Sequence, residues 1–240
     1  MVNYKKFSDI EIFEGEISKH QYPWHFHDFF TIIIVEKGSI IYEFQDKTLK
    51  VEAAETLIIE PFKIHKNTIS EPTIYKAIFL PQEYVNHIKQ NNIITLKLKH
   101  AYVTNTLVNF INKLELNHNK EELKKILLEL FSFIHQLHLE KNFDTKNEIQ
   151  FIPKIDCNLT INELAKKAQL SKFHFQRKFK KSNGLTIGQL KQQEKTIKAK
   201  TLLEKGKLST DVAFELGFFD QSHFIKYFKK MWAITPKRFK

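Results

Sequence analysis

Cysteine is nearly absent: the 240-residue chain carries one, Cys157. A lone thiol forms no internal disulfide and builds no cysteine metal site, so it is read as a small apolar group. Glycine is scarce as well, at six residues, and neither a glycine-rich phosphate loop nor a G-x-S-x-G nucleophile elbow occurs. Long apolar runs are missing, which argues against a membrane span. The first residues, Met1 to Lys6, lead into alternating charged and apolar positions rather than the hydrophobic run of a secretory signal, so a cytoplasmic location is expected. What is abundant is phenylalanine, 22 residues within a 42% hydrophobic composition. That is far from a disordered composition, and the length suffices for two ordinary domains.

Charge divides the chain. Residues 158–240 hold 19 Lys and Arg against 6 Asp and Glu, whereas the first 157 residues hold 19 against 21. The net +11 is therefore a property of the C-terminal third, the electrostatic footprint of a polyanionic partner. Its lysines alternate with core-facing apolar residues inside short helices, which favours nucleic acid over a membrane surface.

Local signals build those helices. Thr160 and Glu163 form a capping box, so a helix starts near Ile161 with Leu164, Ala165 and Ala168 on one face. Leu170 plugs the turn and Ser171 caps a second helix, in which Phe175 and Phe179 point inward and Lys172, Phe173, Gln176, Arg177 and Lys180 face out. Gln and Arg make paired hydrogen bonds to base edges, a phenyl ring meets a thymine methyl, and lysines neutralise phosphate. Gly184 closes that helix, and Thr186 with Gln189 caps a long one reaching Glu204, with Leu190, Ile197, Leu202 and Leu203 as its apolar positions. Gly206 ends it. Ser209 is expected to cap a short helix carrying Val212, Ala213 and Leu216, stopped by Gly217. Asp220 caps the next, where Phe224 and Phe228 face inward and Gln221, Ser222, Ile225, Lys226 and Lys229 face out. Thr235-Pro236 opens a closing helix. This is a helix-turn-helix written twice, able to place two helices in successive major grooves roughly 34 Å apart.

The stretch resembles the AraC/XylS family of bacterial transcription regulators. The resemblance rests on A-x-x-x-x-L-S from Ala165, Q-R-x-F-K-K from Gln176, A-x-x-L-L from Ala199, G-F-x-D-Q-S-H-F-x-x-x-F-K-K from Gly217 and T-P-x-x-F from Thr235. It implies that Phe173, Gln176 and Arg177 contact DNA in one groove and Gln221, Ser222 and Lys226 in the next. The family usually has arginine at Lys226 and an Arg-Leu pair at Lys195-Thr196; lysine acts there as a point charge without the guanidinium fork.

The N-terminal half reads as short strands over Ile10–Ile17, Phe29–Glu36, Ile40–Phe44, Thr56–Ile59 and Tyr75–Leu80, punctuated by Gly38, Asp46-Lys47 and Pro61. Ile40, Tyr42 and Phe44 share a dry face opposite Glu43 and Gln45, which suggests a small barrel or jelly roll enclosing a cavity. His25-x-His27 and Pro61-x-x-x-His65 resemble the two cupin motifs, as in the sensor half of AraC-type regulators. Metal-binding cupins add a glutamate a few residues on, and 28–32 offer none at that spacing, so the expectation is no metal and no cofactor. Trp24, His25, His27, Tyr42 and His65 are instead the candidate contacts of a small organic effector.

Between these halves Val103, Leu107, Phe110, Ile111 and Leu114 follow helical spacing, as do Leu123 to Leu137. They form either a dimer seam or an internal hairpin. Residues 141–154, polar and ending near Pro153, read as a linker.

The expected architecture is α+β in two domains: a cupin-like barrel at 1–98, a helical pair at 99–140, a linker at 141–156 and an all-α double helix-turn-helix at 157–240. The expected function is a non-enzymatic, sequence-specific regulator, an activator by family habit. It acts on double-stranded DNA as a homodimer under a small effector. The alternative is a metal-dependent cupin enzyme carrying a DNA-binding tail.

Overall fold

The computed structural model describes residues 2–7, 9–81, 96–98, 101–116, 156 and 159–239, with five further helical positions (125, 126, 128, 129 and 132). Cys157, the stretch 141–155 and most of the second central helix lie outside the described residues.

The N-terminal half is built from two antiparallel sheets. One has six strands in the order β1 (Val2–Phe7), β2 (Ile10–Ile17), β9 (Thr73–Leu80), β4 (Phe30–Lys37), β7 (Thr56–Ile59) and β10 (Leu96–Leu98). The other has four, in the order β3 (His20–Gln21), β8 (Lys66–Ile69), β5 (Ser39–Glu43) and β6 (Thr48–Glu52). The fold is cupin-like, but the sheets do not close into the expected barrel. Between them lies a core from alternating positions, including Phe13, Ile33, Val35, Tyr42, Leu57, Tyr75 and Ala77.

On the large sheet the intervening residues Ile12, Ile32, Ile34, Ile58 and Ile78 are also buried. Both faces are therefore covered, which is why Phe30 to Val35 is buried without interruption and apolar but for Thr31, rather than alternating. Leu107 and Ile111 of α1 (Ala101–Leu116) are likewise buried. Gly38 makes the β4–β5 turn at φ +78°, and an added Cβ would lie 2.6 Å from the Pro72 carbonyl oxygen. No L side chain fits there.

The C-terminal half comprises α2 (Ile161–Lys167), α3 (Lys172–Asn183), α4 (Ile187–Glu204), α5 (Ser209–Glu215), α6 (Gln221–Trp232) and α7 (Pro236–Phe239). Both capping boxes form, at Thr160 with Glu163 and at Thr186 with Gln189. Ser171 and Asp220 cap α3 and α6, accepting from the His174 and His223 amides. One cap differs from expectation: Leu208 occupies the N-cap of α5 with no side-chain bond, because the Ser209 hydroxyl instead accepts from Gln221 Nε2 at 2.8 Å.

Each helix-turn-helix has a core, and neither core is self-contained. Around Leu164, Phe179, Leu185, Ile187 and Leu190 the cluster is completed by Phe26 and Ile64 of the sheet half. Around Phe224 and Phe228, Val2 and Tyr4 of β1 join the packing, and the Tyr4 ring lies 4.8 Å from that of Phe239. The two halves are sewn together.

Candidate functional site

Helix α4 forms the seam. Its expected apolar stripe is only partly correct: Leu190 and Leu203 are buried, while Ile197 is 40% exposed. The buried face also carries Gln193 and Lys200, which meet polar groups of the sheet half, and Thr196, whose hydroxyl donates back to the Gln192 and Gln193 carbonyls. Gln193 Nε2 donates to the Phe26 carbonyl at 2.6 Å, and its Oε1 accepts from the Phe26 amide at 3.3 Å. The Lys200 ammonium pairs with buried Glu11 and lies 5.1 Å from the centre of the Tyr4 ring and 4.9 Å from that of Trp232. Further along, Lys6 pairs with Glu204 at 3.5 Å, and His20 Nε2 donates to the Lys230 carbonyl at 3.1 Å.

Between this seam and the sheets lies a cavity of about 840 Å³, within the range of small-molecule sites. Its walls include Phe13, Phe26 and Phe79 from the sheet half, and Gln193, Ile197 and Trp232 from the helical half. Deeper in, the Tyr22 and Tyr75 hydroxyls bond at 2.9 Å. Burial pushes the phenols of Tyr22, Tyr42 and Tyr75 up, so all three stay protonated. The Thr31 hydroxyl also lines the cavity, buried and without a hydrogen-bond partner.

Three histidines meet in this cavity. His25 and His65 sit opposite each other in a two-residue bridge, exchanging amide-to-carbonyl bonds of 2.8 and 2.9 Å. That register brings their rings to 4.3 Å, tilted by 55°, and His27 lies 4.8 Å from the His25 ring. The Phe62 amide reaches the His27 carbonyl at 2.7 Å; Phe62 adopts φ +64°, a left-handed conformation costly for a side chain this large. Burial pushes His25 down to about 4 and holds His27 and His65 well below the usual imidazole value. All three are neutral at physiological pH.

Of the five expected effector contacts, His25, His27, Tyr42 and His65 share this lining. Trp24 does not. It sits at a bend and packs against the core of the first helix-turn-helix, under the Lys66 ammonium. Glu11, Gln193 and Lys200 were missed because only a tertiary contact marks them.

On the outer faces, Lys172, Arg177 and Lys180 of α3 are exposed and Phe173 is 81% exposed, while Gln176 is half-buried. On α6, Gln221, Ser222, Lys226 and Lys229 are exposed, but Ile225 is half-buried against the core beside Phe224 and Phe228. Phe214 and Phe219, each 89% exposed, were not singled out in the sequence, where helical periodicity gives no reason for an apolar residue to face water. Among the described residues no helix is long and apolar enough to cross a membrane.

The family description "AraC-like ligand binding domain" matches residues 7–131, and "Helix-turn-helix domain" matches 164–240. The chain belongs to the AraC/XylS family. Relatives of this AraC-type regulator include the HTH-type transcriptional regulator YbfI of Bacillus subtilis, 27% identical over 88% of this chain and 83% of that one. The HTH-type transcriptional activator RhaS of Escherichia coli is 23% identical over 93% of this chain and 89% of its own. Among solved structures, unsaturated fatty acid-bound ToxT of Vibrio cholerae superposes with a TM-score of 0.62 at 13% identity, covering 97% of this chain and 95% of that one. The AraC-type regulator thus shares the fold of ToxT over nearly its whole length.

Proposed function

We propose that this transcription regulator binds a specific operator through α3 and α6 in successive major grooves, and that a small organic effector in the cavity beside α4 controls it. The reading extends to a cytoplasmic homodimer that activates transcription and has no catalytic activity of its own. The observation that carries it is the composition of the cavity wall. Helix α4 joins the two helix-turn-helix units, and the same helix supplies Gln193, Ile197 and Lys200 to the cavity. A ligand there touches the rod that sets the spacing of the two reading helices.

Allosteric control requires that the ligand prefer one of two arrangements, and contacts made simultaneously to both halves supply that difference. The aromatic walls and the hydroxyls of Tyr22, Tyr42 and Thr31 suit a partly apolar molecule with a few polar groups. ToxT, in its unsaturated fatty acid complex, is a relative in fold that carries such a ligand.

The test is selection of bound sites from a random duplex pool with the full-length protein, followed by operator titration with and without fractionated cell metabolites. The reading expects one enriched sequence with two half-sites a helical turn apart and an affinity that shifts with one fraction. Equal affinity for unrelated duplexes would overturn it.

A further inference from the structure

The two helix-turn-helix units share one plan. Helices α2 and α5 have seven residues each and α3 and α6 twelve each, so their first residues correspond, Ile161 with Ser209 and Lys172 with Gln221. In the second unit those two positions are tied, Gln221 Nε2 donating to Ser209 Oγ at 2.8 Å. Ile161 has no polar side-chain atom, so the first unit has no counterpart of this bond. The bond is made against local preference. A serine opening a short helix ordinarily accepts from that helix's own amides, yet Leu208, 60% exposed, stands at the N-cap of α5 with no side-chain bond while the Ser209 hydroxyl serves the next helix. A local rule set aside without local compensation is the mark of a functional position.

What the hydroxyl holds is the only side-chain amide of α6. Lys226 and Lys229 are point charges, and Ile225 is half-buried. Gln221 stands in the first turn, the part of a recognition helix that meets base edges. An amide pairs with adenine in the major groove through one edge, its oxygen accepting from N6 and a nitrogen hydrogen donating to N7. The amide nitrogen carries two hydrogens. Giving Ser209 the one directed away from the carbonyl oxygen leaves the pairing edge complete and fixes its plane. Guanine shows acceptors at both places, and an amide held in this way cannot turn over to suit them. A free glutamine also loses rotamer freedom when a base fixes it, and one already held loses less.

We propose that Ser209 is a positioning residue for Gln221, holding its amide in the orientation that pairs with one adenine, and that this pair gives the half-site under α6 its sequence preference. The inference rests on the reading of α6 as a DNA-facing helix. Lys172, at the matching place in α3, contributes charge instead, so the preference under α3 is independent of Ser209.

The test uses the full-length protein. Sites are selected from a random duplex pool with wild type, Ser209→Ala, Ser209→Thr, Gln221→Ala and the double alanine variant. Affinities are then measured on the selected operator and on duplexes in which each adenine of the α6 half-site is replaced in turn by guanine. Wild type should discriminate against one replacement by about ten- to hundredfold. Ser209→Ala and Gln221→Ala should each erase most of that ratio and leave the preference under α3 unchanged. Ser209→Thr, which keeps the hydroxyl, should retain it. The double variant should be no worse than Gln221→Ala alone, since the two side chains act as one. If Ser209→Ala melts below wild type, Ser209→Thr and Ser209→Val, alike in shape and differing in the hydroxyl, carry the comparison. Full discrimination in folded Ser209→Ala, an equal loss on every duplex, losses that add in the double variant, or equal ratios for the Thr and Val variants would overturn the positioning role. So would a wild-type α6 half-site indifferent to adenine. Failure of the wild-type protein to enrich any sequence would instead overturn the DNA-binding reading beneath it.

Discussion

Gln193 holds the backbone of Phe26 by both its amide and its carbonyl, one side-chain amide spanning 167 positions of sequence. Both bonds are buried, so truncation leaves two main-chain groups unsatisfied. Gln193→Ala is expected to lower the unfolding free energy by about 1–3 kcal/mol per orphaned group, less any water that enters. Denaturant titration measures the loss. In the same variant the shift in operator affinity produced by an effector fraction should shrink, since α4 and the sheet half no longer move together.

Lys200 and Glu11 are both less than a tenth exposed. Removing one partner strands the other, so Lys200→Met should cost about 3–5 kcal/mol. The double variant Glu11→Leu with Lys200→Met should recover most of that loss. A double variant no more stable than the single one would show that the aromatic rings around the ammonium, not its carboxylate partner, dominate the site.

On the reading helices, Arg177→Ala should weaken specific binding by about 1–3 kcal/mol and relax one base position. A uniform loss over all duplexes would assign Arg177 to phosphate. Lys229→Ala should instead reduce the slope of log affinity against log salt by roughly one. Phe219→Ala, at a ring 89% exposed, should leave the melting temperature unchanged while weakening operator binding. Electrophoretic mobility shift across a salt series separates the three.

His20 joins β3 to the end of α6, and burial lowers its affinity for a proton, with Lys229 and Lys230 adding to the effect and the bond to the Lys230 carbonyl opposing it. A base whose folded value is depressed contributes stability that is complete above its unfolded value near 6.5 and is lost as pH falls below it. Stability should therefore decline on acidification from pH 6.5, and His20→Gln should flatten part of that slope. Denaturant midpoints between pH 7.5 and 5 check this.

The helical half was legible because its signals are local. Thr160 with Glu163, Thr186 with Gln189, Ser171, Gly184 and Asp220 each act within one turn of their own position, and each does what its neighbours dictate. The sheet half was legible only where alternation or apolar density is strong. β1, β3, β6, β8 and β10 went unread because they are short, polar on one face, or defined by a partner strand far away. The meeting of His65 with His25 and His27 was implied by the resemblance to the cupin motifs, whereas the bonds of the His25 and His65 rings to the Pro23 and Lys63 carbonyls come only from turn geometry. Trp24 was assigned to the cavity with its neighbours, and the bend at its position directs it to the first helix-turn-helix core instead. Ile225 was placed outward by its helical position, yet Phe224 and Phe228 draw it half inward. The polar buried face of α4 ran against every hydrophobic pattern, since the partners of Gln193 and Lys200 are supplied by the sheet half.

The ring of Tyr4 against that of Phe239 joins the first strand to the last helix. During synthesis the β1 residues must wait, their packing surface unfilled, until α7 has left the ribosome. Docking of β1 is thus complete only after all seven described helices have been made.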